Sequence, residues 1–489
     1  MTFSECENSK KDRREFKVIA MKADAFRKEL RGRRVAVIGM GRSGLDSARV
    51  LNDLGAKVVI GDSKSAKKLW EQCQTAQSMG VPLFVGEDYQ KALDGVEWVI
   101  VSPGVPPDAA ILQEAEALGL PVLSEIELAY RLLRGKMLAV TGTNGKTTTC
   151  ALLKEMLKTA GFDAEVAGNI SADEMKRTLI SAAADSTESS VTVAEISSFQ
   201  LEHVDEFRPD IGILTNLSAD HLDRYASFSE YAAVKSRIFR RQRESDFSIL
   251  NRDDPNGRQC ESGAGVRLWF STASLPQEAN GSYVEENRII YKEGDKLTPI
   301  GAVSEVRIPG KHNLENVLAA TAAATAFGAD AQSIAVAIAR FSGVAHRLEW
   351  VAAIDGVDYV NNSMCTNVQA AIRSLEAYEK GVILIAGGAD RDDDFRPLGP
   401  AFRAFAHHIL LIGECAPKLE RIAREAGCER IECLPTLPAA VKRAAEIAKP
   451  GDTVLLSPAC KSFDMFNDFE ERGRVFRESV WSLTANQTR

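Results

Sequence analysis

Residues Ala139 to Cys150 read AVTGTNGKTTTC, an apolar run that stops at two glycines ahead of a Lys-Thr pair. A strict phosphate loop, GxxxxGK[ST], needs glycine six positions before Lys146, and that position is Val140. The first glycine, Gly142, comes two residues late. Two readings are open: a nucleotide site of a particular kind, or a glycine turn between a strand and a helix. The context suits the first. Met137 to Val140 is strand-like, and after the loop Leu152, Leu153, Met156, Leu157 and Ala160 recur at helical spacing until Gly161. A turn without a ligand has no need of a lysine followed by three threonines. In the phosphate reading, the backbone N–H groups of Gly142, Thr143, Asn144 and Gly145 face oxygens, Lys146 meets the outer phosphates, and Thr147, followed by Thr148, offers a hydroxyl to Mg²⁺.

Outward from this loop, strand-like Val191 to Ala194 ends at Glu195, an acid placed to hold the metal directly or through water. Strand-like Ile211 to Leu214 leads to NLSADHLDRY, which carries Asp220, His221 and Asp223. His221, set among acids after a strand end, is a candidate metal or reaction residue. His203 and the His407-His408 pair have no such setting and read as structural or solvent-facing. Asp253 to Pro309 reads as short strands and loops at a periphery.

Upstream, GMGRSG places Gly39, Gly41 and Gly44 in GxGxxG spacing after strand-like Val35 to Ile38, and Asp62 ends a second strand. That is a dinucleotide fingerprint, in which an acid binds a ribose hydroxyl. It fits an NAD-dependent oxidoreductase and equally the UDP of a sugar nucleotide, and a ligand-free turn also stays open. Strand-like runs at Trp98 to Val101 and Pro121 to Leu123 continue this first block. Beyond Gly343, VILIAGG (Val382 to Gly388), ILLIG (Ile409 to Gly413) and TVLLSP (Thr453 to Pro458) alternate with helix-like segments as a third block. The class is α/β.

With 489 residues the chain exceeds one hydrophobic core, and the three blocks are read as three domains. A net charge of -8 argues against a role built on nucleic acid phosphates. No stretch has the uninterrupted apolar length of a membrane span, and the charged start lacks a secretory core. Nine scattered cysteines without a CxxC pair fit free thiols, so a cytoplasmic protein is expected.

In matching order from about Arg31 onward, these residues resemble the Mur ligases, ATP-dependent amide-forming enzymes of peptidoglycan precursor synthesis. TGTNGKTT is similar to that family's own phosphate loop, with the first glycine displaced in the same way. EISSFQLE (Glu195 to Glu202), DHLDRY (Asp220 to Tyr225) and SPACKSFDMFNDFEERG (Ser457 to Gly473) are most similar to the members that add D-glutamate to UDP-N-acetylmuramoyl-L-alanine. Residues 1–31 read as a charged extension, a solvated helix or tail, and the resemblance, which begins after it, implies a Rossmann-like UDP-binding domain over 32–134. A central P-loop-type ATPase domain with a mostly parallel sheet then covers 135–342, and a C-terminal Rossmann-like domain 343–489.

The resemblance also implies roles. Arg42, Ser43, Asp62, Ser63 and the Ser102-Pro103-Gly104 turn line the UDP-sugar, and Asn169 contacts substrate. Lys235 is the lysine that the family carbamylates; an anionic carbamate is able to ligate Mg²⁺ and an ammonium is not. Thr147, Glu195, His221 and Lys235 then hold two Mg²⁺ ions. Asn313 and Asn316 touch adenine, Arg347 reaches ATP, and His346 lies in the reacting region. Thr366, Ser462 and the backbone near Phe469 take the amino acid. A monomer is expected.

NNSMCTN (Asn361 to Asn367) stands where the commonest form reads aspartate, serine, lysine and then a threonine, so Asn362 faces ATP without a charge and Met364 cannot donate to a carboxylate. Arg391 in GGADRDDDF replaces a lysine and is able to bind an α-carboxylate bidentately. The acceptor therefore stays open between D-glutamate, L-glutamate and another acidic amino acid. A folylpolyglutamate synthase-like enzyme leaves GMGRSG unexplained, and a dehydrogenase leaves the Lys146 loop without a purpose.

Overall fold

The computed structural model describes residues 17–170, 175–218, 220, 224–378, 381–390 and 393–485. Three sheets carry the α/β fold, and the chain divides into two compact units. Met1–Val303 with Glu315–Ala337 holds the first two sheets, and Ser304–Leu314 with Ile338–Arg489 holds the third.

The first sheet contains β1 (Arg34–Ile38), β2 (Lys57–Asp62), β3 (Leu83–Val85), β4 (Trp98–Val101) and β5 (Val122–Ser124), in the order β3-β2-β1-β4-β5 and parallel throughout. RVAVI buries four of its five side chains, the pattern of a parallel strand covered on both faces. Strand order reverses between β1 and β4, which opens a crevice at their C-terminal ends.

The second sheet contains β6 (Lys136–Thr141), β7 (Asp163–Gly168), β8 (Ser190–Glu195), β9 (Ile211–Leu214), β10 (Phe247–Asn251), β11 (Val266–Ser271), β12 (Gly281–Glu285), β13 (Arg288–Glu293) and β14 (Lys296–Ala302). Its order is β14-β13-β12-β11-β10-β9-β6-β8-β7. The polar stretch after Asp253 supplies its far edge, where β12, β13 and β14 pair antiparallel. β6 is wholly buried between β8 and β9, so the chain leaving it emerges at the centre of the sheet.

The third sheet contains β15 (Glu349–Ile354), β16 (Val357–Asn361), β17 (Val382–Gly387), β18 (Ala406–Ile412), β19 (Ile431–Cys433) and β20 (Thr453–Leu456), in the order β15-β16-β20-β17-β18-β19. Only β15 runs antiparallel to its neighbour. β20 enters between β16 and β17, bringing three C-terminal strand ends together.

The N-terminal extension departs from its expected solvated form. Residues 17–29 form a helix that buries Ala20, Ala23 and Phe26, with Leu30 buried just after it. Phe26 stacks on Trp98 at 5.7 Å, and the Arg27 guanidinium donates to the carbonyls of Leu132, Ala183 and Ala184. Asp24 pairs with Arg134. Small or apolar residues three or four apart make one buried face, while the charges occupy the others. Among the described residues no helix is long and apolar enough to cross a membrane.

Candidate functional site

The first crevice forms around Gly39, which follows β1 at φ +97°, a conformation that favours glycine. The Ser102 hydroxyl donates to its carbonyl at 3.1 Å, and a Cβ on Gly44 would overlap that same carbonyl. Helix and strand therefore approach as closely as a pyrophosphate loop requires. The helix Arg42–Asp53 starts at Gly41 without a side-chain cap, so its first N–H groups are left for an anion. Asp62 accepts from the N–H groups of Met40 at 2.8 Å and Lys64 at 2.9 Å, which fixes the loop on both sides of the crevice. Arg42, Ser63 and Gly104 are exposed around it, Ser43 and Pro103 are half-buried, and the Arg42 guanidinium donates to the Ile170 carbonyl.

At the end of β6 the loop of Gly142 to Gly145 turns into the helix Lys146–Thr159. Gly142 has φ +143° and Gly145 φ +84°. A Cβ at Gly142 would overlap Thr215 Oγ1, and one at Gly145 would overlap Asn316 Oδ1. Neither position admits a side chain without displacing its brace. Asn144 N–H donates to Asn216 Oδ1 at 3.0 Å, while the Thr215 hydroxyl and the Asn216 amide donate to the Asn144 carbonyl. Thr215 and Asn216 follow β9 and brace the loop, a part that sequence reading missed; their one signal is that a buried strand ends in polar side chains. Thr148 is buried in the first turn of the helix, and the Thr149 hydroxyl reaches Asn316 at 3.4 Å.

Charge is concentrated on this loop. Lys146 Nζ donates to the carbonyls of Gly142 at 2.9 Å and Thr143 at 3.0 Å. Lys235 Nζ, on the helix Phe228–Ser236, donates to the same Gly142 carbonyl at 2.9 Å. Burial, and next the nearby Lys146 ammonium, pull the Lys235 pKa down to about 7, against the opposing pull of Asp220 and Glu195. Tyr231 lies beneath the Lys235 amine at 4.9 Å, and its phenol reaches the Thr143 hydroxyl at 3.1 Å. Tyr231 is a third residue that the sequence left unmarked.

The Thr147 hydroxyl donates to Glu195 Oε2 at 2.8 Å, with both residues buried. A hydroxyl and a carboxylate at the end of a parallel strand are hard oxygen donors of the kind Mg²⁺ takes, alongside phosphate oxygens and water. Among the described residues no three His, Cys, Asp or Glu side chains converge on a metal position. Thr147 and Glu195 are described oxygen donors able to hold a Mg²⁺ ion together with ligand oxygens. Asn169 follows β7, is exposed, and donates its N–H to the Glu195 carbonyl at 2.9 Å, so it belongs to the same cluster. His221 lies outside the described residues.

In the other unit the residues entering the third sheet are conformationally unusual: His346 has φ +63° and Leu348 φ +45°. His346 is buried, its Nδ1 meets the Asn361 amide at 3.1 Å, and its ring packs edge-on against Phe469. Asn362 accepts from Leu348 N–H at 3.2 Å, so its side chain braces this entry. Arg347 is half-buried, and its charge together with burial lowers the pKa of His312, with burial the larger cause. Asn313 donates to the Pro309 carbonyl at 2.7 Å. Thr366 is half-buried and Ser462 buried on the loops after β16 and β20. Arg391 lies outside the described residues.

Three domain families match the chain in order. They are the Mur ligase MurD-like N-terminal domain over residues 33–124, the Mur ligase middle domain over 140–324, and the Mur ligase glutamate ligase domain over 346–460. The UDP-N-acetylmuramoylalanine-D-glutamate ligase of Thermoanaerobacter pseudethanolicus is 42% identical over 458 residues, covering 93% of this chain and 99% of the relative. The protein of the same name in Koribacter versatilis is 40% identical over 460 residues, 94% of this chain and 99% of the relative. Two solved structures share the fold at 18% identity. A pseudomurein peptide ligase type C from Methanothermus fervidus has a TM-score of 0.51 and spans 92% of this chain and 100% of its own. UDP-N-acetylmuramate-alanine ligase MurC from Thermotoga maritima has a TM-score of 0.52 and spans 92% and 99%.

Proposed function

The chain belongs to the Mur ligase family, and from that premise we infer an ATP-dependent, ADP-forming ligase that adds D-glutamate to UDP-N-acetylmuramoyl-L-alanine in peptidoglycan precursor synthesis. The oxidoreductase alternative raised by Gly39 to Gly44 is set aside, because residues 33–124 match a Mur ligase N-terminal domain. One observation carries the chemistry: two lysines, Lys146 and the buried Lys235, whose pKa burial draws down to about 7, meet on the Gly142 carbonyl of the same phosphate loop.

A carboxylate is a poor electrophile at neutral pH, so amide formation requires its activation. The γ-phosphoryl group of ATP passes to the alanine carboxylate, giving an acyl phosphate and ADP. The D-glutamate amine then attacks the carbonyl carbon, and the tetrahedral intermediate expels phosphate. Protein groups act in the first step by position and charge. Lys146 shifts from the loop carbonyls to the transferring phosphate. The Gly145 N–H and the start of the helix Lys146–Thr159, which has no side-chain cap, hold its oxygens, with Thr148 alongside; Thr143 and Asn144 shape the loop through their N–H bonds to Asn216, and Asn169 orients the substrate beside Glu195. Thr147 and Glu195 would hold Mg²⁺, which would supply charge neutralisation between two anionic reactants. The Lys235 amine would add to CO₂ with loss of one proton, and the carbamate oxygens together with His221 would hold a second ion. Burial and the lowered pKa support this, since only the neutral amine carries the lone pair.

The nucleotide-sugar is assigned to the crevice of Arg42, Ser43, Asp62, Ser63 and Ser102 to Gly104. Asn313, Asn316, Arg347 and Asn362 are assigned to ATP, His346 to the reacting region, and Thr366, Arg391, Ser462 and the Phe469 backbone to the amino acid. The proposed domains are 32–134, 135–342 and 343–489, acting as a monomer in the cytoplasm, where ATP and UDP-linked precursors are made. Acceptor preference tests the specificity of the reading. With D-glutamate, L-glutamate, D-aspartate and L-alanine offered separately, D-glutamate is expected to give the highest kcat/KM by at least about 100-fold, a discrimination available to a site built on paired carboxylate contacts. A preference for any of the other three overturns it.

A further inference from the structure

Arg472 lies on the helix Phe469–Ala485 and is 1% exposed. Its Nε donates to Ser363 Oγ at 2.9 Å, one terminal nitrogen to the Cys460 carbonyl at 3.1 Å, and the other to the Ser363 carbonyl at 2.8 Å. The Ser363 hydroxyl in turn donates to the Phe469 carbonyl at 2.7 Å. Among the described residues Arg472 makes no ion pair, and Asp464 is the one carboxylate whose field reaches it strongly enough to register. Burial is the chief influence and draws its pKa down to about 10, which still leaves it a cation at neutral pH.

Burying a guanidinium with only neutral partners is costly, and hydrogen bonds to carbonyls offset part of that cost. The fork joins Ser363 on the loop after β16, Cys460 on the loop after β20 and, through the Ser363 hydroxyl, the start of its own helix. The first of these loops carries Thr366, the second Ser462, and the helix begins at Phe469. Beside it the Lys461 carbonyl receives the Ala389 N–H at 2.9 Å, so the loop after β17 is tied in as well. The next residue, Gly473, has no room for a Cβ, because one would overlap His346 Nδ1. A single turn of helix thus supports the β16 and β20 loops of this corner, and through the latter the β17 loop.

We propose that Arg472 is the positioning residue of the amino-acid pocket, holding the Thr366, Ser462 and Phe469 segments in register and setting a fixed positive charge beneath them for a dicarboxylic amino acid. This rests on the function inferred above. Among the described residues the charge has no ion-pair partner, and a substrate carboxylate would supply the counter-ion, while the rigid fork spares the loops the ordering cost of binding.

The test measures KM separately for D-glutamate, ATP and UDP-N-acetylmuramoyl-L-alanine in wild type, Arg472→Lys and Arg472→Met. Arg472→Met is expected to raise the D-glutamate KM about 100-fold, the loss typical of removing a buried hydrogen-bonded charge. Arg472→Lys keeps the charge without the fork and is expected to raise it roughly tenfold, with the other two KM values within about threefold of wild type in both variants. If Arg472→Met is recovered unfolded, Arg472→Lys alone decides. An unchanged D-glutamate KM, or three KM values that rise together, overturns the proposal. Wild-type protein without D-glutamate-dependent turnover would instead reject the underlying function, so the two failures are told apart.

Discussion

Lys235→Ala is expected to abolish ligation, with kcat falling about 1,000-fold, the scale seen when a preorganised charge is removed from a reacting centre. The side chain is buried on the phosphate loop, where its amine shares the Gly142 carbonyl with Lys146. As an ammonium it would add a second positive charge to a crowded loop and ligate nothing. As a carbamate it reverses that charge. Two consequences separate this role from a plain packing role. A short-chain carboxylate such as acetate or propionate should partly restore the alanine variant by occupying the vacated volume. Wild-type activity should also fall as pH drops through about 7, because the lowered pKa leaves the neutral amine present above that value and lost below it. Added bicarbonate should offset the loss. Full activity in Lys235→Ala would remove the residue from the mechanism.

Gly142→Ala is the second large effect. At φ +143° an L side chain is strained by about 1–3 kcal/mol, and its Cβ would collide with the Thr215 hydroxyl. That hydroxyl is committed to the Asn144 carbonyl at 2.6 Å, so relief by rotation releases the loop it braces. The KM for ATP is expected to rise about 100-fold, with the melting temperature lowered, since loop N–H groups bind phosphate only in a held arrangement. A folded variant with wild-type affinity for ATP would show that the loop does not hold the nucleotide.

Much of this arrangement is legible in the sequence because it depends on local chemistry. The displaced glycine of AVTGTNGKTTTC makes sense once Gly142 is seen pressed against Thr215, a contact in which Val140, buried within β6, takes no part. Strands such as Trp98–Val101 and Ile211–Leu214 are bounded as their apolar runs predict. β7, β10 and β16 lack a long uninterrupted apolar run and take their form from sheet neighbours. The helix of residues 17–29 hides its packing face behind charges, since alanines at two of the buried positions contribute little hydrophobic signal. Arg472 is hidden differently. In FEERGR nothing distinguishes it from the half-buried and exposed charges around it, and only the convergence of β16, β17 and β20 encloses it. Positions decided by long-range packing are the ones a linear reading passes over.

The central claim is tested most directly by steady-state ADP release from the purified protein with ATP and Mg²⁺. UDP-N-acetylmuramoyl-L-alanine and D-glutamate are supplied separately and then together. The expected result is sustained ADP release only with both, matched one to one by UDP-N-acetylmuramoyl-L-alanyl-D-glutamate. ADP release at the same rate with either substrate omitted would contradict the account.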